Sequence, residues 1–334
     1  MNTDPISFEK VLDALLADRK DFPRRYFREF SDIGTLELKT LLDIWPRVNP
    51  SRKLTLLEEL DTLADTETLV SFDDLARALL TDPDSQVRMR AIRLLRESED
   101  TKLIPSYLDM LTTEANTSVR VEVARVLNLF VALGDLEEIP ETLYHQIEDA
   151  LLASAAGEDD VRVRRAALES LGYSSRLEVS TLIESFFNRE EPGWQISALI
   201  AMGRSADERW DEDITRALVS VNDGVRKAAV QAAGELPLKS ARSLLLTMLG
   251  EEEEGEVVSA IIWSLSQIGG EDVRTYLESL LDQLEEEDEQ IAFLEEALDN
   301  LSFTEDLARF DLLAIDPDDE LVELEDDEES GLGI

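Results

Sequence analysis

Apolar residues recur along most of the chain with the spacing of one face of an α-helix. In the clearest copy, Val163, Ala167 and Leu171 stand four residues apart, which is typical of an amphipathic helix packed on a neighbour. Alternating apolar and polar residues of the kind that predict β-strands are nearly absent. The pattern therefore predicts an all-α protein.

The same apolar stripe returns at a nearly fixed interval, which indicates an internal repeat. Four of the five steps between successive copies are 31 or 32 residues long. The remaining step, from Val119 to Val163, is 44 residues long and contains an insert around Gly134–Pro140. A degenerate earlier copy lies near Arg52–Leu63. The stripes begin at Val87, Val119, Val163, Trp194, Val225 and Val257.

A second helical pattern precedes each stripe, so the repeating unit is helix, short turn, helix. Asp84, Asp160 and Asn222 stand where the second helix begins. Their side chains are predicted to cap it by accepting hydrogen bonds from free backbone N–H groups. The preceding helices are expected at Phe72–Leu80, Leu103–Leu111, Leu143–Leu152, Val179–Phe187, Ile214–Val221 and Ala241–Leu249.

The fullest copy reads Asp-x-x-Val-Arg-x-x-Ala-x-x-x-Leu-Gly over residues 160–172. This motif resembles the second helix of a HEAT repeat, of the short type found in phycobilisome lyase-like proteins. The resemblance spans residues 35–303 and departs from the motif where Gln195 and Val258 replace the arginine. It implies a right-handed α-solenoid of about eight helix pairs, with the second helices lining the concave surface.

Charge is concentrated at the C-terminal end of the chain. The net charge is −43, and residues 251–334 contain 30 acidic and only 2 basic side chains. A block of like charges tends to stay solvated. We therefore expect an N-terminal helical cap over residues 1–34, a HEAT-like solenoid over 35–303 and an acidic, disordered tail over 304–334.

Composition removes several kinds of chemistry. The chain has no cysteine and a single histidine, His145, which excludes thiol catalysis, Cys-ligated metals and multi-histidine centres. Phosphate-binding glycine loops and nucleophile elbows are absent from the sequence. No catalytic residue, cofactor or metal is predicted, and His145 is expected to be a surface or partly buried helix residue. The chain lacks an apolar run long enough to span a membrane, so a cytoplasmic protein is expected.

Two acid–arginine pairs stand four residues apart on second helices. Asp84 and Arg88 form one pair, and Asp160 and Arg164 form the other. Side chains with this spacing meet along one helical face. Stacked repeats are therefore expected to place them in a structural ladder at the turns.

The remaining arginines of the second helices are candidates for partner binding. A solvated, ion-paired surface without a ligand is the simpler interpretation of Arg90, Arg93, Arg125 and Arg165. The alternative hypothesis is that these four residues form a positive strip on the concave face. The strip would receive an acidic segment of a partner protein, or this chain's own segment Phe310–Leu324 anchored by Phe310 and Leu313.

The leading functional hypothesis is a non-enzymatic protein–protein interaction scaffold or adaptor that binds a partner segment on its concave helical surface. The alternative is a bilin lyase-like or chaperone-like factor that binds a tetrapyrrole or its carrier protein, which the family resemblance alone implies. A deep aromatic pocket would favour bilin binding, whereas an open surface of mixed charge would favour protein binding.

A nucleic-acid partner is not expected. The stretch Arg24–Phe30 combines arginines with aromatic rings, but a chain of net charge −43 repels a polyanion. The stretch is therefore predicted to pack as part of the N-terminal cap.

Overall fold

A computed structural model describes residues 6–17, 21–284 and 290–313, with side chains as far as Leu307. Within these ranges the chain is helical and contains no β-strand. It divides into two compact units, Met1–Glu208 and Arg209–Ile334. The repeat pattern does not predict this division, because the 31- to 32-residue period runs through it unchanged.

Unit 1 begins with a single helix and continues as five helix pairs. A 3-10 helix, Arg24–Phe30, lies between the first helix and the first pair. The helices are α1 (Phe8–Leu16), α2 (Thr35–Ile44), α3 (Pro50–Thr66), α4 (Asp73–Leu79), α5 (Ser85–Leu94), α6 (Ile104–Thr113), α7 (Thr117–Asp135), α8 (Glu141–Ala156), α9 (Val161–Ser170), α10 (Leu177–Phe187) and α11 (Pro192–Arg204).

Unit 2 contains three further pairs, so the described residues hold the eight pairs that the repeat predicts. They are α12 (Asp211–Ala217), α13 (Asp223–Glu235), α14 (Arg242–Leu249), α15 (Gly255–Ile268), α16 (Glu271–Leu281) and α17 (Gln290–Leu313). The predicted all-α solenoid class is confirmed. Among the described helices, none combines the length and the apolar character needed to cross a membrane.

Second helices pack on second helices within each unit. In unit 1, α5 contacts α3 and α7, α7 contacts α9, and α9 contacts α11; in unit 2, α15 contacts α13 and α17. The predicted stripes form these seams, since Val163, Ala167, Leu171, Ala229 and Leu265 are all fully buried. No helix pair covers its own stripe alone, so each pair depends on its neighbours for burial.

The glycine that closes the motif lets neighbouring second helices approach each other. A Cβ on Gly172 would lie 2.8 Å from the carbonyl oxygen of Ala201 on α11. In unit 2, a Cβ on Gly234 would lie 2.8 Å from the Cα of Ser264 on α15. Any larger residue at either position would push the two helices apart.

The predicted N-caps are confirmed. Asp84 accepts a hydrogen bond from the backbone N–H of Gln86 at 2.9 Å, and Asp160 accepts one from Arg162 at 2.9 Å. Asn222 does the same for Val225 at 3.0 Å. Each side chain satisfies a backbone donor that would otherwise lack a partner at the start of a helix.

The aromatic-basic stretch near the N-terminus packs as a cap, as predicted. Tyr26, Phe27 and Phe30 are buried, and the ring centroids of Phe30 and Phe8 on α1 are 6.0 Å apart. These rings are therefore part of the core and are not free to stack on nucleic-acid bases.

The last helix crosses the predicted start of the tail. Helix α17 continues from the solenoid to Leu313, beyond the boundary expected at residue 303. The extension is tied to α16, because Arg274 donates to Glu305 at 2.7 Å and to the Ser302 hydroxyl at 3.2 Å. The rest of the predicted tail, 314–334, lies outside the described residues.

Replacing Ala229 by arginine tests the seam of unit 2. Ala229 is fully buried, so Ala229→Arg would overpack the seam and bury an unpaired charge, lowering the free energy of unfolding by at least about 3 kcal/mol. Val221→Arg, at a fully exposed position of the same unit, is the control and is expected to be nearly neutral. Chemical denaturation measures both, and equal stability of the two variants would contradict the register.

Candidate functional site

In three of the described repeats, an arginine near the start of the second helix closes the turn that precedes it. The Arg88 Nη1 donates to the carbonyl oxygen of Asp82 at 2.7 Å, six residues earlier. Arg120 donates in the same way to Glu114 at 2.7 Å, and Arg226 to Ser220 at 3.1 Å. Because these carbonyls accept nothing from a following helical turn, the guanidinium supplies their hydrogen bond.

The same arginines reach an acid that precedes the second helix of the following pair. Arg88 holds Glu114 with two hydrogen bonds of 2.8 Å, and Arg226 holds Glu252 with two of 2.9 Å. Arg120 contacts Asp159 at 2.6 Å. Hydrogen bonds from Arg226 keep the pKa of Glu252 below its usual value. These ion pairs, two of them bidentate, join consecutive repeats within each unit.

The predicted pairing of Asp84 with Arg88 and of Asp160 with Arg164 is wrong. Both aspartates use their oxygens to cap their own helix, and Asp160 pairs with Arg162 at 3.1 Å. Arg164 donates to the carbonyl oxygen of Ala155 at 3.1 Å. A ladder does run along the turns, but it joins residues of different repeats, which a four-residue spacing cannot indicate.

The turn contact survives where the arginine is replaced. Gln195 Nε2 donates to the carbonyl oxygen of Arg189 at 2.9 Å, again six residues earlier. In the same repeat, Trp194 stacks on Phe186 with ring centroids 4.2 Å apart. The Arg164 guanidinium lies 5.1 Å from the Trp194 ring, a cation–π distance. An amide and an aromatic stack therefore replace the missing ion pair.

Two of the four candidate partner-binding arginines converge on one carboxylate. Arg93 on α5 contacts Glu122 Oε1 at 2.7 Å, and Arg125 on α7 contacts the same oxygen at 3.4 Å. The Glu122 side chain is 11% exposed, whereas that of Arg125 is 57% exposed. Two cations thus share one acid, and the local charge is positive on the solvent side.

The other two candidates lie in separate networks along the same line of second helices. Arg90 approaches Glu58 on α3 at 4.0 Å, and Arg165 on α9 donates to the Ser197 hydroxyl at 2.8 Å. Ser197 in turn donates to Glu169 at 2.5 Å. The four arginines therefore form a row of local networks and no single cluster. The side chains of the predicted tail anchors, Phe310 and Leu313, lie outside the described residues, as does the rest of the segment to Leu324.

Charge separates between the two sides of the helix pairs in unit 1. We call α5, α7, α9 and α11 the second-helix face of unit 1. These helices carry nine arginines and three acids, a net charge of +6. Their partners, α4, α6, α8 and α10, carry one arginine and eight acids, a net charge of −7. The neighbouring α3 contributes acids such as Asp61 and Asp65, which both pair with Arg96.

Comparison with known proteins identifies the type of repeat in part of the chain. A family of HEAT repeats matches residues 212–299. Residues 212–299 therefore contain HEAT repeats. The prediction made from the motif is therefore confirmed, and the matched HEAT repeats lie in unit 2, where the described helix pairs follow the same period as in unit 1.

No curated protein matches the sequence, but several solved structures resemble it. YibA of Escherichia coli is 15% identical with a TM-score of 0.43, over 85% of this chain and 98% of YibA. A chain in the complex of CpcE and CpcF of phycocyanin lyase from Nostoc sp. PCC7120 is 16% identical with a TM-score of 0.49. The match covers 90% of this chain and 97% of that chain. Identities and TM-scores this low carry no information about shared ligands.

The one histidine lies on α8, in the helix pair that follows the insert. His145 Nδ1 is 2.9 Å from Glu148 Oε2, and the His145 side chain is 54% exposed, as a helix-surface residue would be. Glu148 is buried and also accepts a hydrogen bond from the Ser174 hydroxyl at 2.5 Å. The carboxylate stands between the serine and the imidazole, so His145 is not placed to take the proton of Ser174 as a catalytic base would.

The His145–Glu148 contact is measurable because the chain has one histidine. The hydrogen bond with Glu148 raises the pKa of His145 above its usual value, which is about 6.5. The stabilisation is therefore complete below that value and is lost as the pH rises through the raised pKa of the folded state.

An NMR titration of the single imidazole is expected to give a pKa above 6.5 in the parent protein. Glu148→Gln should return it towards the usual value. Glu141→Gln, which removes an exposed acid 3.5 Å from Nε2, should lower it less. An unchanged pKa in Glu148→Gln would contradict the contact.

Proposed function

We propose that this protein is a non-enzymatic scaffold that binds an acidic segment of a partner protein on the second-helix face of unit 1. The observation that carries the proposal is the charge separation. A face of net charge +6 lies in a chain of net charge −43, and it is built from helices that the HEAT packing holds rigid. Rigid, charged surfaces favour complementary partners and speed their association.

Arg125 is the residue best placed to meet a partner carboxylate. It shares Glu122 with Arg93 at the longer distance, 3.4 Å, and its side chain is 57% exposed. A carboxylate from outside would complete a pattern of alternating charge without breaking the shorter Arg93–Glu122 contact of 2.7 Å. Charge-assisted, bidentate hydrogen bonds to arginine are among the stronger polar contacts available at a surface.

The geometry supports a protein partner over the bilin alternative. Ion pairs such as Arg93 with Glu122 line the second-helix face of unit 1. A tetrapyrrole is a large apolar ring system and would favour a deep aromatic pocket. A surface of mixed charge instead matches the alternating polar groups of a peptide.

Binding of a labelled, capped peptide of alternating glutamate and serine tests the proposal. Fluorescence anisotropy with the full chain at fixed salt is expected to show saturable binding. Arg93→Gln/Arg125→Gln should weaken it by at least about threefold, because two exposed cations are lost.

The matched control is Arg28→Gln/Arg77→Gln, which removes the same charge from unit 1 outside the face. Arg28 and Arg77 each make one surface ion pair, with Glu67 and Asp100. Little change is expected in the control. Equal weakening in the two double variants would mean general electrostatic attraction and would contradict the proposal, as would the absence of saturable binding.

A further inference from the structure

Unit 2 has a groove on the corresponding side of its helix pairs. It lies between α13, α15 and α17 and has a volume of about 450 Å³. Ala260 and Ser264, two small residues of α15, form its floor, and Gly234 lets α13 approach at this level. Longer side chains form the rim: Lys227, Gln231, Glu235 and Glu256.

An aromatic pair stands at one side of this groove. The rings of Trp263 on α15 and Phe293 on α17 stack with centroids 6.5 Å apart and an interplanar angle of 29°. Both residues are half-buried, whereas Trp45, Trp194 and Trp210 are 4–5% exposed. Trp263 lies outside the core stripe of its helix and lines the groove, so part of its ring is accessible to a ligand there.

The second helices of unit 2 are negative where those of unit 1 are positive. Helices α13, α15 and α17 carry nine acids and three bases, a net charge of −6. The one lysine at the groove, Lys227, is already paired with Glu256 at 2.7 Å. Glu296 lies three residues after Phe293 on α17 and so faces the same side. A cation at the groove would therefore meet a negative field.

We propose that this groove binds a basic peptide segment, with one arginine or lysine side chain packed on Trp263. The aromatic face attracts a cation through its quadrupole, and Glu235 and Glu256 flank the approach. The side-chain amides of Gln231 and Gln267 also line the groove and can bond to the peptide backbone. An acidic peptide would face the same carboxylates and be repelled. The proposal does not depend on the binding function of unit 1.

The probe is a labelled, capped peptide of alternating arginine and serine, titrated into the full chain at physiological salt. Because three of the four tryptophans are buried, acrylamide quenching of the fluorescence reports mainly on Trp263. The peptide is expected to reduce this quenching as it saturates the anisotropy signal. Saturable binding without any change in quenching would place the peptide elsewhere and overturn the proposal.

Variants separate the groove from general attraction to an acidic protein. Trp263→Leu should weaken binding about fivefold, whereas Trp263→Phe, which keeps a π-face, should retain most of the affinity. Equal affinity of the two variants and the parent would overturn the proposal.

A double substitution of two exposed residues tests the proposal even if Trp263→Leu does not fold. Glu235→Gln/Glu256→Gln should weaken binding by at least about threefold. Glu178→Gln/Glu184→Gln removes the same charge from α10 in unit 1 and also releases an arginine, Arg176, from an ion pair. Little change is expected in this control. Equal weakening in the two double variants would show that net charge alone drives binding.

Discussion

In three of the described repeats, one guanidinium fixes how a helix pair stacks on the next pair. It closes the turn of its own repeat through a carbonyl six residues earlier, as Arg88 does with Asp82, and it grips an acid of the next repeat, as Arg226 does with Glu252. The arginine therefore sets both the orientation of its own helix and the register of its neighbour. Burial of the apolar stripes then supplies most of the stabilisation, since a partly buried ion pair mainly selects geometry.

Because the turns and seams fix the fold, the exposed side of the second helices is free to vary. In unit 1 that side carries Arg93 and Arg125 around a single buried acid, and helices α5, α7, α9 and α11 together have a net charge of +6. In unit 2 the same side carries Trp263 above an acidic rim, and helices α13, α15 and α17 together have a net charge of −6. One repeat design thus presents two surfaces of opposite chemistry, which suits a scaffold that holds partners of different charge.

The sequence predicts what depends on neighbours within a helix. The stripe of Val163, Ala167 and Leu171 and the caps such as Asp160 follow from local spacing, and the structure confirms both. Contacts between repeats do not follow from spacing. Arg88 pairs with Glu114, 26 residues away, whereas the sequence predicted that it would pair with Asp84. The buried Glu122 and the groove at Trp263 were missed for the same reason. A large aromatic residue outside the stripe, as Trp263 is, was the one available signal.

Hydrogen–deuterium exchange of the full chain with the acidic peptide, with the basic peptide and with both together tests the two-surface scaffold most directly. The acidic peptide is expected to slow exchange in α5, α7 and α9, and the basic peptide to slow it in α13 and α15. With both present, the two patterns should add. Protection of the same helices by both peptides, or loss of one pattern when the other peptide is added, would contradict two independent surfaces of opposite charge.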